Sequence, residues 1–130
     1  MNIWLPTVQE MLCLHHKVTL RTGGGDGLRE TGLLESAVAR PHASFGGEDL
    51  YPRVIDKAAA LCCGLTQNHP FVDGNKRIGV TAMLLVLRRN GVALRYTQQE
   101  RIDLSLTLAQ GLLDVPAVVD WIETHTPGAA

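Results

Sequence analysis

From Val80 to Leu87 the chain is apolar at every position except Thr81, and Asn90-Gly91 follows, a pair that tolerates the left-handed conformation and ends helices. A helix that starts near Asn75 and stops there is hydrophobic on nearly every side, and such a helix must be enclosed by others. This requirement restricts the fold more than any other feature. It predicts an all-α bundle of about six helices with this one buried at the centre. Composition points the same way: apolar residues make up 45% of the chain and aromatics only 5%, so the core is aliphatic and favours helices over an aromatic-rich sandwich. The 130 residues fit one domain, 1–130, able to bury about two thirds of the surface its unfolded form exposes.

The enclosing helices are marked by their punctuation. Thr7-Val8-Gln9-Glu10 has the spacing of a capping box and opens a first helix, with Val8, Met11, Leu12, His15, Val18 and Thr19 on one face. Gly23-Gly24-Gly25-Asp26-Gly27 ends it; the run lacks the Lys-Ser/Thr of a phosphate loop and reads as a plain connection. A short helix from Thr31 to Ala39 buries Leu34, Ala37 and Val38 and stops at Pro41. His42 to Pro52 is an ordered loop or flap carrying Phe45 and Tyr51, and its length makes it a candidate docking surface. A third helix spans Arg53 to Asn68, with Val54, Ala58, Leu61 and Leu65 in a stripe. After the apolar helix, Val92 to Tyr96 is extended. Thr97-Gln98-Gln99-Glu100 then opens a helix containing Ile102, Leu104, Leu106, Leu108 and Ala109, and Asp114 with Pro116 opens the last, before Pro127 and a tail.

The net charge of -1 argues against direct nucleic-acid binding, which needs a basic face. Three cysteines, two of them adjacent in an apolar helix, read as buried free thiols of a reducing compartment. Met1 to Pro6 lacks the order of a secretory leader and no apolar run is long enough to span a bilayer, so a cytoplasmic protein without membrane contact is expected. His15-His16, His42 and His125 have no zinc-ligand spacing, and His15, on the apolar face of its helix, reads as a core histidine or a support behind a site.

The chemistry gathers just before the apolar run, in His69-Pro70-Phe71-Val72-Asp73-Gly74-Asn75-Lys76-Arg77. The leading N–H groups of a helix have no internal partner and carry partial positive charge, so the start of the buried helix is an anion site. Gly74 turns the chain tightly and lets a phosphate approach the backbone. Asn75 caps or reaches an anion with its amide, Arg77 offers paired donors, and Lys76 adds a point charge. Asp73 would repel phosphates unless a hard cation such as magnesium bridges them. His69, which Pro70 holds outside the preceding helix, is the one group there that takes a proton near neutral pH. Phe71 points inward as an apolar anchor. Taken singly, each residue has a plain structural reading; together they fit no packing requirement and point to phosphate chemistry.

This stretch resembles the signature of the Fic/Doc family, and its Asn-Lys-Arg ending resembles the Doc (death on curing) branch. The likeness extends to Glu10–His15, Gly27–Ala37, Arg40-Pro41, Gly46–Pro52 and Leu87–Gly91. The resemblance implies a compact all-helical transferase using ATP and Mg2+, with His69 as general base, Asp73 as metal ligand and Gly74, Asn75, Lys76 and Arg77 as the phosphate cradle. Fic enzymes move AMP from ATP to a protein Ser, Thr or Tyr hydroxyl. Doc toxins are understood to transfer the terminal phosphate instead, to a threonine of elongation factor Tu, and to be held by a Phd antitoxin. Two departures from the Fic pattern favour phosphoryl transfer: Lys76 replaces a glycine, and Val80 stands where a second arginine is usual. Gly74, alanine in some Doc proteins, counts the other way. No internal Ser/Thr-x-x-x-Glu-Gly/Asn inhibitory pattern occurs, so inhibition in trans is expected. The implied alternatives are an adenylyltransferase and a catalytically silent binding module.

Overall fold

The structure, a computed structural model, describes residues 2–127; the tail expected after Pro127 lies outside them. The described residues form six α-helices: α1 (Val8–Thr22), α2 (Thr31–Ala39), α3 (Val54–Asn68), α4 (Asn75–Arg89), α5 (Gln98–Ala109) and α6 (Val115–Thr124). The only sheet among the described residues is a two-stranded hairpin, β1 (Ser44–Phe45) and β2 (Glu48–Asp49). The fold is therefore the all-α bundle expected. Thr7 and Thr97 both form complete capping boxes, and the Asp114 carboxylate accepts from the Ala117 N–H to start α6.

The helix at the centre is α3, not α4 as the apolar run implied. Every residue from Lys57 to Thr66 is buried, whereas α4 leaves Thr81, Leu84 and Leu85 only half-buried. The reason is side-chain size. Ala58-Ala59-Ala60 and Cys62-Cys63-Gly64 present so little bulk that α2, α4 and α6 all pack on α3, while the stripe seen in sequence marks only one of those contacts. At the crossing with α4, Gly79 leaves no room for a side chain: a Cβ there would lie 2.7 Å from Thr66 Oγ1 and 3.1 Å from the Cys62 carbonyl oxygen. Cys62 and Cys63 are buried free thiols, and Cys13 is exposed.

Pro41 does not end α2 abruptly. The chain continues through a 3-10 turn, Arg40–His42, with Pro41 buried inside it. The expected flap is the hairpin: Gly46 and Gly47 at φ 60° and 85° form the two-residue turn that strand twist favours. Phe45 is 82% exposed, but Tyr51 is half-buried. The Lys57 ammonium pins the hairpin's base by donating to the Pro41 carbonyl (3.1 Å) and to Asp49 (3.3 Å).

In α5 only Leu104 and Leu108, one turn apart, are buried. Ile102 and Leu106 are 41% and 57% exposed, because the every-second-residue spacing of 102, 104, 106 and 108 cannot share one helical face. The start of α5 is tied to the end of α6 by the His125 imidazole, which meets Glu100 at 2.5 Å, while the His125 carbonyl accepts from the Arg95 N–H. No described helix is long and apolar enough to cross a membrane.

Candidate active site

α3 ends because Pro70 cannot continue it, and His69 takes the left-handed C-cap conformation, φ 50° and ψ 56°. This is the one non-glycine residue at positive φ among those described, a conformation costing about 1–2 kcal/mol for an L-residue. Arg29 holds it there: Nε donates to the His69 carbonyl at 2.8 Å and Nη2 to the Asn68 carbonyl at 3.1 Å. Placing a cation at these last carbonyls also complements the helix dipole. The His69 side chain is exposed.

The next residues run beside the segment that follows the glycine-rich loop. Phe71 bridges Leu28, the Arg29 N–H donates to the Pro70 carbonyl (2.7 Å) and the Val72 N–H to the Gly27 carbonyl (3.0 Å). Phe71 is buried. Asn75, also buried, bonds Phe71 with both ends of its amide, accepting from the N–H at 2.9 Å and donating to the carbonyl at 3.0 Å. In this structure the amide staples the turn, and the Asn75 backbone N–H stands at the start of α4.

Gly74, at φ 77°, is the N-cap of α4 and provides no capping side chain. The leading N–H groups of α4 are therefore free of a side-chain cap. Asp73 Oδ1 accepts from the Gly74 N–H at 2.7 Å, and Oδ2 lies 3.4 Å from the Gly25 N–H. Arg77 donates to Thr22 Oγ1 at 2.9 Å. Asp73, Gly74, Lys76 and Arg77 line one wall of a cleft of about 550 Å³, whose opposite wall is α5, with Gln98, Arg101, Ile102, Ser105, Leu106 and Ala109. A volume between about 300 and 1,000 Å³ suits a small molecule or cofactor, and the exposed Ile102 and Leu106 give it an apolar side for a flat ring.

His69 does not line that cleft. It borders a smaller one of about 130 Å³ with Cys63, Thr66 and Leu108; Lys76 and Ala109 border both. Burial pushes the Cys63 thiol up to about 11, so near neutral pH it is a protonated, unreactive neighbour of His69. Arg29 and the approach of the glycine loop to Asp73 were not legible as parts of this site. The glycine density was the one available signal, since backbone without side chains permits close approach.

Residues 5–87 match the model of the Fic/DOC family. Toxin Doc of Mycolicibacterium smegmatis is 53% identical over 72 residues, a match spanning 55% of this chain and 55% of that protein. Protein kinase doc of Escherichia phage P1 is 31% identical over 114 residues, covering 88% of this chain and 89% of the phage protein.

Proposed function

The chain belongs to the Fic/DOC family, and from that premise we propose that it is the toxin of a toxin-antitoxin pair, transferring the terminal phosphate of ATP to a hydroxyl of a protein. The observation that carries this reading is the start of α4: one carboxylate, uncapped N–H groups and two cations lining a cleft of nucleotide size, with an imidazole just beyond Lys76. The names of the two relatives, a toxin and a protein kinase, support it.

In this reading His69 accepts the proton of the target hydroxyl as its oxygen bonds to the γ-phosphorus; the bond to the β,γ-bridging oxygen breaks and ADP leaves. Lys76, Arg77 and the leading N–H groups of α4 offset the charge of the transferring group. Asp73 is the one carboxylate lining the cleft. Among the described residues no group of three or more His, Cys, Asp or Glu side chains forms a metal cage. A single carboxylate would suit magnesium brought in with the nucleotide: Asp73 would hold it, and the ion would supply charge neutralisation. The target we propose is a threonine of a translation protein such as elongation factor Tu, and the restraining partner a Phd-like antitoxin; both rest on the family resemblance.

Transfer of AMP is the second reading, favoured by Gly74. Against it, Lys76 lines the cleft where a glycine would leave room, and position 80 is a fully buried valine and not a second arginine. Incubation with a bacterial lysate and ATP labelled at the α or the γ phosphate separates the two: γ-label alone is expected in the target, and α-label alone overturns the kinase reading. His69→Ala should abolish transfer and growth arrest while the protein stays folded; undiminished arrest would mean a binding module.

A further inference from the structure

His15 is 3% exposed, on the inner side of α1, and the step just described does not use it. Its ring lies parallel to Phe71, with centroids 3.8 Å apart and planes 4° apart. Its Nε2 meets the Asp73 carbonyl at 2.9 Å, and since a carbonyl only accepts, this nitrogen carries a proton. Its Nδ1 lies 3.9 Å from Asp26 Oδ1. Burying a polar ring costs about 1–3 kcal/mol unless its hydrogen bonds are made, so packing alone would favour Leu or Phe at this position. The imidazole's distinguishing contribution is one N–H, aimed at one carbonyl.

That carbonyl and the Gly74 N–H belong to the same planar peptide and point in opposite directions. His15 holds the oxygen end; the hydrogen end is held by Asp73's own Oδ1 at 2.7 Å. Rotation of this peptide would therefore move the carboxylate and the first turn of α4 together. From the other side the glycine loop bounds the same carboxylate: a Cβ at Gly24 would lie 2.7 Å from Oδ2.

We propose that His15 is a positioning residue, which fixes the peptide between Asp73 and Gly74 and thereby aims the Asp73 carboxylate at a magnesium-bound nucleotide. The proposal rests on the reading of Asp73 given above. Three variants test it. His15→Phe keeps the stacked ring and lacks the N–H; His15→Gln can place an amide N–H near the position of Nε2; Gly24→Ala crowds the carboxylate and, at φ 97°, also strains its own loop, so its melting temperature without ATP is the baseline for its response. The readouts are the rise in melting temperature produced by ATP as Mg2+ is titrated, and the Mg2+ concentration for half-maximal labelled transfer. His15→Phe and Gly24→Ala should each need about tenfold more Mg2+, the effect of misplacing roughly one hydrogen bond, whereas His15→Gln should stay close to the parent. A folded His15→Phe protein with the parent's Mg2+ dependence overturns the proposal, as does a Gln variant no better than Phe. Should His15→Phe fail to fold, His15→Leu, which also lacks the N–H, takes its place in the comparison with His15→Gln. A parent protein with no Mg2+-dependent response to ATP overturns the reading of Asp73 itself, and the proposal with it.

Discussion

Gly79→Ala tests whether the crossing of α3 and α4 is set by backbone contact. In an exposed helix interior this change stabilises by about 1 kcal/mol, because alanine is the better helix former. Here the new Cβ would stand 2.7 Å from Thr66 Oγ1 and 3.1 Å from the Cys62 carbonyl oxygen, against about 3.4 Å for the near limit of ordinary contact. Neither neighbour yields easily. The Thr66 hydroxyl is buried and donates to that same carbonyl at 2.6 Å, so turning it away orphans a polar group; the carbonyl itself is helix backbone. Overpacking of this kind costs about 1–3 kcal/mol, and with both neighbours fixed the upper part of that range applies. Net destabilisation should be about 1–2 kcal/mol, read as a lower urea midpoint at unchanged slope. In a Thr66→Ala background one of the two clashes is gone, and the same substitution should cost less. If Gly79→Ala instead stabilises by about 1 kcal/mol in both backgrounds, the close crossing is not what seats α4.

Asn75→Ala would leave the buried Phe71 N–H and carbonyl without their partners; at about 1–3 kcal/mol for each unpaired group, chemical denaturation should show one of the larger losses available to a polar substitution in this chain. Arg29→Gln removes the guanidinium from the Asn68 and His69 carbonyls, and since that guanidinium is exposed, stability should fall by under about 1 kcal/mol, while labelled transfer falls further as the His69 backbone relaxes; an equal loss in both measurements would deny it a positioning role. The Glu100–His125 contact makes stability depend on pH. Burial works against a charged His125, but its bonds to the Trp121 carbonyl and to Glu100 prevail and raise it above the ordinary 6.5, so its contribution is complete below that value and is lost as pH rises through the raised one. Glu100 is lowered, first by the Thr97 N–H and then by His125; its contribution holds above the ordinary carboxylate range and is lost as pH falls through the lowered value. Urea midpoints followed across pH should show both declines, and His125→Gln should remove the alkaline one.

Local signals were sufficient wherever one short segment determined its own conformation. Both threonine capping boxes, the aspartate before Pro116 and the stop at Asn90-Gly91 lie where the chain indicated, because a cap is a contact between residues three or four apart. The same holds for the turn chemistry of His69 to Arg77. Burial was less legible. The apolar run of α4 reads as the centre, yet α3 is more enclosed, since enclosure depends on how closely other helices approach and small residues permit that without looking hydrophobic.

The chain by itself therefore determined the helices and the cluster of imidazole, carboxylate and cations between α3 and α4. The tertiary structure decided what those groups face. It turned the Asn75 amide inward onto Phe71, put His69 in a separate small cleft from Asp73 with Lys76 between them, and brought His15, Gly25 and Arg29 from 58, 48 and 40 residues away in sequence to hold the motif. These partners are distant in sequence and carry no pattern of their own. Their pairing follows only once α1 and the glycine loop are packed against the turn, because a hydrogen bond is specific to position and a sequence records only the groups able to make it.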